Sequence, residues 1–162
     1  MPLNQIPRIK YITEIKLVGV RTQMTLAEDK TAVLWQKFMP KRNKITNRVN
    51  SDLFDIQIYD PEKDFKNFDS NTEFEKWSAA EVSNHDHIVE GMESLIIPEG
   101  KYAVFNHRGS ASEARQIFQY IYGVWLPGSG YNLDNRPHFQ ILKEGYRPDN
   151  PQLEESVWIP LV

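Results

Sequence analysis

Cysteine is missing from all 162 residues, which excludes disulfides, thiolate nucleophiles and cysteine-ligated zinc. No apolar run comes near the roughly 20 residues that a membrane-spanning helix needs. The opening MPLNQIPRIK has no signal-peptide hydrophobic region, so a cytoplasmic protein without membrane contact is expected. Basic charge is not in excess either. A net charge of −3 gives no electrostatic drive toward a phosphate backbone, and no direct nucleic-acid contact is expected. A Gly-x-Ser-x-Gly elbow is absent, and Gly128-x-Gly130 follows a helix instead of a strand, so it is not a phosphate loop. His85-x-His87 sets two imidazoles on one side of an extended segment, but no further ligand is close in sequence. No metal, no cofactor and no catalytic residue are therefore expected.

What remains is an ordinary globular composition, 40% hydrophobic and 25% charged, with a generous aromatic share of 12% and four Trp. The length fits one domain over 1–162 that buries about two-thirds of its unfolded surface. Residues 11–20 (YITEIKLVGV) read as a strand. Thr25-x-x-Glu28 forms a capping box, and Thr31, Leu34, Trp35, Phe38 and Met39 then recur at helical spacing until Pro40. The basic segment 41–50 reads as a solvated loop. Residues 53–59 (LFDIQIY) alternate, with Phe54, Ile56 and Ile58 on one face and Asp55, Gln57 and Tyr59 on the other. A further strand over 74–82 places Trp77, Ala79 and Glu81 together. In the second half, a strand over 94–107 is interrupted by Pro98-Glu99-Gly100. A second box, Ser110-x-x-Glu113, opens a helix over 110–126 that Pro127, Gly128 and Gly130 stop, and strands follow at 139–142 and 156–162.

The two halves, about 10–83 and 94–162, repeat one pattern. Thr25 and Ser110 lie 85 residues apart, as do Phe54 and Phe139; Trp77 and Trp158 lie 81 apart, Trp35 and Phe118 83. A β-α-β-β unit used twice at a nearly constant offset indicates a duplicated α+β fold. Each unit alone leaves one sheet face bare. The halves are expected to pack about a pseudo-twofold axis, giving an antiparallel sheet, two main helices and a cleft between the halves.

Trp35, Tyr59, Trp77, Tyr122, Trp125 and Trp158 are the candidate walls of that cleft, with Leu142 beside them. Any one of them serves equally well as plain core. As a group, with Tyr59, Trp77 and Tyr122 on the less apolar flanks of their elements, they suit a flat, apolar or cationic ligand. Asp55, Glu81 and Gln140 are polar residues set into strands, where a solvent-facing position is the ordinary alternative. Asp55 and Gln140 stand at the same offset of 85, as expected if both point to the junction. Gln140 and Glu81 are the expected polar contacts.

The segments WSAAEV (77–82), GMESLIIPEGKYAVFNHRG (91–109), IYGVWLPGSGY (121–131), RPHFQIL (136–142) and ESVWIPLV (155–162) resemble the GyrI-like small-molecule (effector) binding domain. That domain occurs fused to AraC-type and MerR-type DNA-binding regions and alone, as in integron-associated effector-binding proteins. The resemblance implies a duplicated β-α-β-β fold with a ligand cleft and a role in multidrug or effector binding. Family members commonly carry Phe-Glu where this chain has Phe139-Gln140, and that Glu recognises cationic ligands. The neutral Gln140 cannot supply that charge, which counts against a cationic ligand unless Glu81 or Glu155 takes its place. Only about ten residues precede the first strand, so no helix-turn-helix is expected, and the transcription regulator it supports is a separate partner. The resemblance implies two alternatives: hydrolysis of strained electrophilic natural products, with Glu81 orienting water, and a gyrase-binding, inhibitor-like protein.

Overall fold

The computed structural model describes residues 5–60, 67–109, 111–143 and 154–162, with the backbone alone at 111–114. Its strands are β1 (Arg8–Ile12), β2 (Ile15–Met24), β3 (Leu53–Ile58), β4 (Phe74–Glu81), β5 (Glu93–Ile97), β6 (Gly100–Arg108), β7 (His138–Leu142) and β8 (Glu154–Leu161). They form one antiparallel sheet in the order β1-β6-β8-β7-β3-β4-β2-β5. Read outward from the central β7/β3 pair, that order is symmetric: β3 matches β7, β4 matches β8 and β2 matches β6. The duplication is therefore a property of the fold. Local detail repeats with it. Trp77 Nε1 donates to Glu75 Oε1 at 2.6 Å and Trp158 Nε1 to Ser156 Oγ at 2.9 Å, each two residues back along equivalent strands.

Each half also has a leading strand; the Pro98-Glu99-Gly100 interruption separates β5 from β6, whereas nothing in the sequence pattern separates β1 from β2. β1 precedes β2 yet pairs with β6, and β5 precedes β6 yet pairs with β2, so the halves exchange their first strands. The segment read as one strand over 11–20 is thus two. Ile12 connects to Ile15, and Ile97 to Gly100, across three residue steps that span at most about 11 Å. Those short links join opposite ends of the strand order, so the sheet must curl until its edges approach. Its inner face closes on a core of Leu17, Phe54, Ile56, Trp77, Ala79, Ile97, Tyr102, Val104 and Phe139.

The outer face carries the helices. Helix α1 (Thr31–Phe38) seals Leu34 and Phe38 against Val18, Val20, Leu53, Ala80 and Leu142. Helix α2 (Ala111–Tyr120), a π turn (Ile121–Trp125) and the short α3 (Leu126–Ser129) cover Ala103, Phe105, Val157, Ile159 and Leu161. Two boundaries differ from the sequence pattern. The Glu28 N–H does bond Thr25 Oγ1 at 2.9 Å, but this closes a turn, and α1 starts only after Asp29 accepts from the Thr31 N–H. Pro127 does not stop the second helix. The Leu126 N–H bonds back to the Ile121 carbonyl, so Pro127 falls in a fresh first turn where its missing N–H costs nothing, and the chain turns at Gly130 (φ 81°). The Ser110-x-x-Glu113 box lies outside the described residues.

Candidate functional site

Two helix-covered cores on one sheet face leave a strip between them, and that strip lies over the central strands β3 and β7. Cross-strand partners share a face, so Asp55 opposite Gln140 and Ser78, and Gln57 opposite His138 and Lys76, all lie on the outer face. Six polar residues here are buried: Asp55, Gln57, Lys76, Ser78, His138 and Gln140, none more than 8% exposed. Burial of so many polar groups is tolerated only if they satisfy one another.

Most do. Gln57 Nε2 donates to Gln140 Oε1 at 2.9 Å, and Gln140 Nε2 donates back to Gln57 Oε1 at 3.0 Å, a closed amide pair across the pseudo-dyad. Gln57 Nε2 also donates to Asp55 Oδ1 at 2.7 Å. A carboxylate only accepts, so Asp55 fixes which way the Gln57 amide turns. The Lys76 ammonium forms an ion pair with the same carboxylate, and Trp35 Nε1 reaches Asp55 Oδ2 at 3.3 Å. Ser78 Oγ is the exception: fully buried, it has no hydrogen-bond partner among the described residues.

The helices reach this floor from opposite sides. Trp35, set edge-on to Phe38, comes from α1 to Asp55. Tyr122 comes from the π turn, where the extra residue rotates it toward the sheet, and its hydroxyl lies 2.8 Å from His138 Nδ1. Tyr59, just past β3, packs its ring 4.8 Å from His138 and 5.3 Å from Phe74. Burial pushes the Tyr122 and Tyr59 hydroxyls well up from 10.0 and pushes His138 down to about 3, so the imidazole is neutral. Glu155, opposite Leu142 on β8, also lies on the outer face. Burial first, then the Asp55 charge, pushes it up to about 7, partly offset by Lys76.

Of the nine residues expected to line the cleft, the structure gathers four around the strip, Gln140, Tyr59, Tyr122 and Trp35, and Asp55, expected to point to the junction, joins them. Leu142 is on the same face inside the α1 core, and Trp125 packs 5.1 Å from Phe105 behind the π turn. Trp77, Trp158 and Glu81 are on the other face. Trp77 lies opposite Ile56, and Trp158 opposite Phe139 with their rings stacked at 5.3 Å, both within the inner core. Glu81 alternates with Ala80 and turns away from Gln140; its carboxyl is raised by burial and by Asp52. The expectation that Trp77 and Glu81 share a cleft with Gln140 therefore does not match the geometry, because 77 and 81 have the opposite strand parity to 76, 78 and 80. Lys76, Gln57 and Ser78 carry the floor and were not singled out. The signal for them was the Asp55/Gln57 alternation continued across β4.

Two open hollows lie elsewhere. One of about 410 Å³ at the ends of β6, β7 and β8 is lined by His107, Arg108, Lys143, Glu154 and Glu155 among others, and so abuts the floor at Glu155. The other, about 560 Å³, lies between Lys41, Lys44, His87 and Glu90. Among the described residues no helix is long and apolar enough to cross a membrane.

Comparison with known proteins agrees with this architecture. The chain is 27% identical over 160 residues to the transcriptional regulator BrlR of Pseudomonas aeruginosa, across 98% of this chain and 56% of that one. It thus spans little more than half the length of that curated relative. Among solved structures, SAV2435 bound to tetraphenylphosphonium superposes with a TM-score of 0.75 at 13% identity, covering 98% of this chain and 94% of that one. The EcmrR C-terminal domain superposes with a TM-score of 0.70 at 15% identity, over 99% of both chains. The GyrI-like small molecule binding domain matches residues 6–162, essentially the whole chain. With its mirrored strand order and its polar strip between two helices, the chain belongs to the GyrI-like small molecule binding domain family.

Proposed function

We propose that this domain senses or sequesters a flat, largely apolar or cationic small molecule held between Trp35 and Tyr122 over the Gln57–Gln140 floor. The observation that carries the reading is the convergence of those two aromatic side chains, from helices of opposite halves, on Asp55 and His138 of adjacent strands. Ring faces over a floor with few, fixed polar groups are what an apolar ligand with one oriented end requires. Tyr59 extends the wall, and Leu142 closes the end toward α1. A neighbour of the same fold is described bound to tetraphenylphosphonium, a lipophilic cation, and the curated relative is a transcriptional regulator. Coupling to a regulator is accordingly part of the proposal. Titration of the Trp fluorescence with tetraphenylphosphonium and neutral polyaromatics tests it. Saturable quenching at micromolar ligand, weakened about tenfold or more in Trp35→Ala, is the expected result. Quenching that Trp35→Ala leaves untouched would place the ligand elsewhere.

A further inference from the structure

We infer that the floor selects an uncharged ligand carrying a donor–acceptor edge, such as a lactam or amide on a planar ring system, over a lipophilic cation. The inference rests on the cleft reading given above and names its ligand class. The negative charge of the floor is already paired. Asp55 is the carboxylate at the centre of the strip, and its two oxygens are committed to Lys76, Gln57 and Trp35. Its charge is cancelled inside the protein by an ammonium on the neighbouring strand. A cation brought onto the floor would lose its hydration and find the Asp55 carboxylate already paired to Lys76, with amide oxygens and ring faces as its remaining partners, a cost that a neutral guest does not bear.

The Gln57–Gln140 pair, by contrast, is built for exchange. Each amide presents one N–H and one carbonyl to the other. A lactam presents the same two groups in the same order, so it can pair with Gln140 through the same two hydrogen bonds once the Gln57 side chain swings aside. Ser78 Oγ, fully buried on the same face, adds unmet hydrogen-bonding capacity beside the pair. Such capacity attracts a polar neutral group, because a dry unpaired hydroxyl is costly. The other ionisable groups facing the strip are Tyr59, Tyr122, His138, which is neutral, and Glu155. Burial holds the Glu155 carboxyl up at about 7, so below that pH it offers no standing counter-charge. His107, its partner on β6, lines the adjoining hollow.

Three planar tricycles of one shape separate the possibilities at pH 6: phenanthridin-6-one, a neutral lactam; N-methylphenanthridinium, a cation; and phenanthrene, with no polar edge. Calorimetry or equilibrium dialysis on the whole chain reads the affinities. The lactam should bind about tenfold or more tighter than either of the others. Gln140→Glu should reverse the order of lactam and cation. Gln140→Leu, which adds no charge beside Asp55, should remove the lactam's advantage while phenanthrene binds unchanged. A cation bound as tightly as the lactam by the wild-type chain overturns the inference but leaves the cleft reading standing. Binding of none of the three overturns both.

Discussion

Lys76 holds a buried ammonium in the strip, and its ion pair with Asp55 is what makes that position tolerable. A buried pair adds little over a well-packed apolar one, but a buried charge that has lost its partner is expensive. Lys76→Met alone should therefore lower unfolding free energy by about 3–5 kcal/mol in urea titrations, and adding Asp55→Asn should restore most of it. Equal losses in the single and double variants would mean the pair is not coupled. His138 makes a second residue-scale prediction. The folded chain holds it neutral down to about 3, whereas the unfolded chain protonates it near 6.5. Between those values the unfolded state binds more protons, so this contribution to stability is lost as the pH falls from about 6.5 toward 3. Glu155 has the opposite sign. Its folded pKa of about 7 stands above the ordinary 4.5, so the stability it confers is present at low pH and is lost as the pH rises through that window. In Glu155→Gln, melting temperature should fall more steeply on acidification from 7 to 4.5 than in the wild type, because the opposing term is gone. An unchanged slope would contradict the buried environment assigned to Glu155.

At the scale of elements, the strip depends on β2 and β4 lying unusually close. A Cβ on Gly19 would collide with the Ser78 carbonyl and with Ala79, backbone that cannot move without shifting the floor. Gly19→Ala should destabilise the domain by about 1–3 kcal/mol and weaken ligand binding with it. Binding intact at full stability would show that β4 has slack. Elements are also where the sequence was most and least legible. The alternation of β3 and the helical spacing of α1 were plain because each has one apolar face. β4 was legible as a strand but not as to which side mattered, since the curled sheet buries both of its faces and alternation no longer separates inside from outside. Thr25 misled because its hydroxyl makes the expected bond to the Glu28 N–H, yet in a turn. Pro127 misled because the π turn before it supplies a new helix start.

For the whole molecule, the exchange of β1 and β5 between halves ties the two units into one curled sheet, and although the Pro98 interruption sets β5 apart from β6, nothing in the sequence shows that the two leading strands change places. The repeat itself was readable from offsets such as Asp55 and Gln140, which the structure sets directly opposite each other at the axis. Facing was not, because a constant offset fixes equivalence and says nothing of which side of a sheet a residue takes. The four Trp now sample distinct places: Trp35 on the strip, Trp125 behind the π turn, Trp77 and Trp158 in the inner core. Their four indole N–H signals therefore locate a ligand without a crystal. In 1H–15N spectra recorded with saturating tetraphenylphosphonium and, separately, phenanthridin-6-one, the account predicts that the Trp35 indole moves with at least one of them while Trp77 and Trp158 stay in place. Movement of Trp77 or Trp158 with Trp35 unchanged, or no response to either compound, would contradict a ligand site between the helices.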